Sequence, residues 1–279
     1  MLTIVSLTLR EAVRRRVLAS AAVLTVLAIA FSTWGIWRLH ATMLTRMSAA
    51  SALASFAIVV LLLAYMFSII LSAGSAFIAA PAIASDVESG VALAMLPRPI
   101  RRSDLVLGKW LALALLVVTF TLVAGGVELG IVRLLTGFGP PHPLRGLGFI
   151  AAEAVLLMTL ALLLGTRLPA VAAAIVTVVL FGITWAGGIA QAIALTLHNQ
   201  SVLNATTAIN LLLPTDALWR SAAFALEPVA LAAAAVTDLT RQSPFLVGSA
   251  PPPAMLYWSI VWLLLALTAA VLSFQRRDL

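Results

Sequence analysis

The chain has 279 residues, 63% of them hydrophobic and only 10% charged, with a mean hydropathy of +1.13. No soluble domain of that length can solvate such a surface, so composition excludes a soluble globular protein. The net charge of +7 does not signal nucleic acid, because the arginines cluster at the ends of apolar runs, and the absence of cysteine excludes disulfides and thiolate metal sites.

Several apolar runs reach the roughly 20 residues that a helix needs to cross a bilayer. The expectation is an all-α polytopic membrane protein with six transmembrane helices in a single membrane domain covering residues 1–279. In residues 1–16, Leu2, Val5, Leu9 and Val13 recur at three- and four-residue steps, while Arg10, Arg14, Arg15 and Arg16 fall elsewhere. That pattern reads as an N-terminal interfacial helix, or as a basic cap on the first span. Residues 17–37 form the first span and close on Trp34 and Trp37, as an interfacial aromatic belt does. Residues 49–80 form a second run longer than one bilayer crossing, with Pro81 as a break.

Residues 81–104 interrupt the apolar pattern with Asp86, Glu88, Gly90, Arg98, Arg101, Arg102 and Asp104. Such a segment cannot lie in hydrocarbon. A third span covers 105–135, a Gly- and Pro-rich turn covers 136–147, and the fourth and fifth spans cover 148–164 and 170–197. Residues 198–253 are less uniformly apolar and read as an outer helical insertion. Thr215 is the candidate cap of one helix there, and a second helix runs towards Arg241. These helices are expected on the outer surface of the membrane or dipping into its interface. Residues 254–274 form the sixth span, before a basic tail.

Six spans return both termini to one side. That side collects eleven basic residues against six on the other, so the termini and residues 81–104 are expected in the cytoplasm. Residues with catalytic spacing are missing. No Gly-rich loop ends in Gly-Lys-Ser/Thr, no HExxH occurs, and no aspartate falls in an assigned span. The chain is therefore expected to be no enzyme, with no metal site and no cofactor of its own.

The polar interruption carries four short elements. They are Glu88-Ser89-Gly90-Val91, the Leu-rich turn from Leu93 to Leu96, Pro99-Ile100-Arg101-Arg102, and Leu107-Gly108-Lys109. In this it resembles the cytoplasmic coupling segment of type-2 ABC-transporter permeases, with Val91 in place of the family's usual threonine. Leu213-Pro214-Thr215-Asp216-Ala217-Leu218-Trp219 adds a likeness to permeases of the multicopper-enzyme maturation type, such as that of the nitrous-oxide reductase assembly transporter.

The resemblance implies a coupling helix between spans two and three in which Asp86, Glu88, Ser89, Gly90, Leu93, Leu96, Arg98, Arg101 and Arg102 meet a separate ATPase. It implies two copies of this chain with two ABC ATPase subunits that hold the ATP and Mg, a bacterial inner-membrane location, and a periplasmic partner protein. The function implied is to couple ATP hydrolysis to export or to maturation of a periplasmic enzyme. An ATP-independent scaffold for assembling such an enzyme is the alternative. A secondary transporter fits less well, since no half-chain repeat is visible.

Two acids stand apart. Glu128 lies near the outer end of the third span and Glu153 inside the fourth. Each can line a pathway, or pair locally, Glu128 with Arg133 and Glu153 with Arg145, and the nearby arginines favour pairing. His40, His142 and His198 have no ligand spacing.

Overall fold

A computed structural model describes residues 2–14, 16–43, 49–88, 101–228, 247 and 250–277. Among these the chain is all-helical. The helices are α1 (Leu2–Arg14), α2 (Arg16–Met43), α3 (Ala49–Glu88), α4 (Arg102–Thr136), α5 (Pro143–Gly165), α6 (Ala170–Thr196), α7 (Gln200–Leu212), α8 (Thr215–Leu226) and α9 (Pro253–Gln275). Six of them are long and apolar enough to cross a membrane: α2 to α6 and α9. The protein is an all-α polytopic membrane protein.

Helix α5 is the centre of the bundle. Ile150, Ala154, Met158, Ala161 and Leu162 are fully shielded, and α3, α4, α6, α8 and α9 all pack on it. The tightest approach is at its end, where a Cβ on Gly165 would lie 2.6 Å from the Ala80 carbonyl oxygen of α3. Only glycine allows that backbone contact. Helix α2 is at the opposite extreme: Val23, Leu24, Val26, Leu27 and Phe31 are all exposed. In hydrocarbon such a face is solvated by lipid or covered by another helix.

Three expectations are corrected. Pro81 does not end α3, which continues to Glu88. Ala79, Ala80, Ile83 and Ala84, on both sides of the proline, are buried, so tertiary packing holds the helix where propensity alone would stop it. The first part of the expected 81–104 connection is therefore helix. Next, α8 is no surface helix. Ala217, Ser221, Ala222 and Ala225 give it a small-residue face, and it buries most of its length against α5. Lastly, Thr215 is not a cap. It is the first helical residue, and its hydroxyl bonds Thr184 of α6 at 2.9 Å. The second outer helix expected towards Arg241 lies outside the described residues.

Helix α1 packs on α4 with Val5 buried, while Thr3, Ser6, Leu7 and Arg10 are exposed. This agrees with an amphipathic N-terminal helix.

Candidate functional site

Two regions bear on function, one at an end of the bundle and one within it. At the first, arginines on three elements bond backbone carbonyls. Arg102, the first residue of α4, donates to the carbonyls of Gln275 at 3.1 Å and Arg277 at 2.7 Å. Arg277 returns a bond to the Thr166 carbonyl at 2.5 Å. Arg167, in the α5–α6 turn, holds both the hydroxyl and the carbonyl of Ser273, at 3.0 and 3.1 Å. Helix ends leave carbonyls without intrahelical partners, and cations there complement the helix dipole. The start of α4, the end of α9 and the α5–α6 turn are thus locked into one unit.

The α3–α4 hairpin rises from this unit. Lys109 of α4, 7% exposed, donates to the Ala82 carbonyl of α3 at 2.5 Å. Beyond the Gly165–Ala80 contact, α3 continues for eight residues to Glu88, about 12 Å at 1.5 Å per residue. Arg101 precedes α4 and is exposed, and its carbonyl accepts from Asp104 N–H at 2.9 Å. Asp86 and Glu88 close α3. Ser89, Gly90, Leu93, Leu96 and Arg98 lie outside the described residues, as does Arg15. Arg14 ends α1 and Arg16 begins α2.

Of the second region, the sequence singled out only Glu153. A cavity of about 20 Å³ lies among α3, α5, α6 and α8, large enough for about one water-sized group. Tyr65 and Ser68 line it from α3, Glu153 from α5, Phe181 and Trp185 from α6, and Thr215, Asp216 and Trp219 from α8. The Tyr65 ring lies 4.9 Å from Trp219 and 6.5 Å from Trp185, centroid to centroid. Glu153 is 2% exposed and accepts from the Ser68 hydroxyl at 2.5 Å through Oε2. Its other oxygen takes no hydrogen bond from the described residues.

Asp216 is paired. Arg220, one turn later, donates to it at 2.8 Å and to the Gly188 carbonyl of α6 at 3.2 Å. Burial pushes the Asp216 carboxyl above the usual carboxylate range, against the pull of Arg220. A side chain at Gly188 would collide with the Asp216 carboxylate, so the pair sits on bare backbone. Asn210 of α7 donates to Gln191 of α6 at 3.0 Å and, more weakly, to Asp216 at 3.4 Å. Together with Thr184–Thr215, these bonds form a polar ladder that fastens α7 and α8 to α6.

No protein-family model matches the chain, and no curated protein is significantly similar to it.

The two flagged acids do not pair as expected. Arg145 lies over the Phe149 ring at 5.8 Å, on the turns of α5 before Glu153, and Glu153 instead reaches across to α3. It lies ten residues into α5, about 15 Å along the axis, because α5 begins five residues before the expected span. Glu128 faces Ser32 of α2, and the described residues hold no ion pair between it and Arg133. The histidines build no metal cluster among the described residues. Two cavity residues had faint signals in the sequence: Ser68, which shares one face of an apolar helix with Ser72 and Ser75, and Asp216, four residues before Arg220.

Proposed function

We propose that this chain is the membrane-spanning permease subunit of an ATP-driven ABC transporter, pairing with a second copy of itself and with two ATPase subunits. The observation that carries this reading is the hairpin. Helices α3 and α4 run past the end of α5, and the connection between them bears the Glu-x-Gly, Pro-x-x-Arg and Leu-x-Gly-Lys elements that resemble a coupling segment. A projecting rigid hairpin transmits displacement to a bundle only if its base is tied to the bundle. Lys109, Arg102 and the Gly165–Ala80 contact supply those ties.

On this reading the basic end is cytoplasmic, and the arginines there also face anionic lipid. ATP and Mg belong to the partner chains. Closure of the ATPase pair moves the hairpin tips, and the tied base passes the motion to α5 and onward to α8. The exposed faces of α2 are available to the second copy or to lipid. The mostly exposed α7, fastened to α6 and α8, offers a fixed platform for a periplasmic partner, which suits maturation of a periplasmic enzyme as well as export.

The test is co-purification of the full chain with the ATPase encoded beside it, followed by ATP turnover in nanodiscs. Glu88→Ala and Gly90→Val are expected to lower binding or stimulation of the ATPase while leaving helix content unchanged. If both variants bind and stimulate as well as wild type, the coupling reading is wrong. An ATPase that never co-purifies favours the ATP-independent scaffold.

A further inference from the structure

We infer that the cavity among α3, α5, α6 and α8 is a binding site for a small ammonium-type cation, either free ammonium or the end of a primary amine. This goes beyond the permease reading and does not need the ATPase.

Charge balance is the first ground. Two carboxyl groups line the cavity, Glu153 and Asp216, and the guanidinium of Arg220, outside the lining, is committed to Asp216 at 2.8 Å. Glu153 has no cationic partner among the described residues, and only the neutral Ser68 hydroxyl reaches it. Its second oxygen, on a side chain almost wholly buried, is an unused acceptor in a cavity it lines. An ionisable group with a free acceptor inside an apolar bundle marks a functional site by default.

The lining is the second ground. Aromatic rings from three helices flank the acids, with Tyr65 of α3 and Trp219 of α8 in close ring contact and Trp185 of α6 alongside. Ring faces attract cations, a primary ammonium head among them. The hydroxyls of Ser68 and Thr215 supply further acceptors for N–H donors.

Size and access are the third. Room for about one water fits an ammonium group and excludes a quaternary ammonium. Trp185 is 41% exposed and stands at the edge of the site.

The experiment uses the full chain in nanodiscs at constant ionic strength, titrated with ammonium, methylammonium, sodium or choline chloride. Thermal midpoint and tryptophan emission are recorded. A ligand bound by the folded state alone raises the midpoint in a saturable way. Ammonium is expected to do so and to change the emission. A matching response to methylammonium assigns the site to amine ends, and its absence assigns it to the free ion. Glu153→Gln preserves an acceptor for Ser68 and is expected to weaken the response at least about tenfold. Trp185→Leu alters an exposed edge and is expected to weaken it by roughly two- to fivefold. A flat wild-type response, an equal response to choline, or variants that respond as wild type would overturn the assignment. Glu153 would then serve only to tie α5 to α3.

Discussion

Lys109 on α4 donates through Nζ to the backbone carbonyl of Ala82 on α3, 27 residues earlier, at 2.5 Å. The bond sits one residue past Pro81, where α3 lacks one backbone N–H. It ties the hairpin together just below its tip. Replacing Lys109 by methionine keeps the stem volume and removes the charge-assisted bond. The expected result is a loss of about 1.5–3 kcal/mol, the usual worth of a hydrogen bond to a charged group. Reversible unfolding of the purified variant in mild detergent measures it, and an unchanged midpoint would show the tie to be unimportant.

Gly165 separates backbone contact from helix propensity. Its added Cβ would meet a carbonyl, which cannot rotate aside, whereas Gly182 has nothing within 4 Å. Gly165→Ala is expected to cost about 1–3 kcal/mol through overpacking. Gly182→Ala is expected to be neutral or to stabilise by up to about 1 kcal/mol through helix propensity. Comparing the two melting curves checks both signs at once.

Trp258 and Trp262 of α9 donate to the carbonyls of Leu211 and Leu212, at 2.9 and 2.7 Å, at the end of α7. These carbonyls have no intrahelical donor. Trp→Phe at either position leaves an apolar ring and removes the donor. Each change is expected to lower stability by about 0.5–1.5 kcal/mol. Faster amide hydrogen exchange in residues 205–213 would localise the loss to α7, and unchanged exchange there would refute the role.

Glu227, just past α8, is 2% exposed and accepts from the Val247 N–H at 3.2 Å, and its other oxygen has no partner among the described residues. Burial pushes its carboxyl up from 4.5 to about 7. The folded chain then holds this proton over a range where the unfolded chain has lost it. Between about pH 4.5 and 7 the contribution of Glu227 to stability is expected to fall as pH rises, and to level off above that range. Asp216 moves in the same direction, so the measurement is the difference between wild type and Glu227→Gln. A difference curve without slope in that window would contradict the assignment.

The spans were legible because apolar runs of bilayer length have few other solutions, and five of the six expected spans match helices within a few residues at most ends. The run at 49–80 was read too short, since Pro81 signals a break by local rules and only the packing around Ala79, Ala80 and Ile83 overrides them. The basic residues at one end were visible as a count. Their targets were not, because Gln275, Arg277 and Thr166 receive them through backbone carbonyls, which leave no mark in the sequence.

The acids show the division most clearly. The sequence by itself determined that Glu153 lies in an apolar segment and that an arginine lies eight residues before it, and proximity along the chain favoured that pair. Only the tertiary structure decided that Glu153 meets Ser68, 85 residues away, and shares a cavity with Asp216 from a helix expected on the surface. Hydrophobicity is a sum over local residues and can be read along a line. The partner of a buried polar group depends on which helix faces cross, and that is settled by close packing of small residues such as Gly165, Gly188 and the alanines of α8.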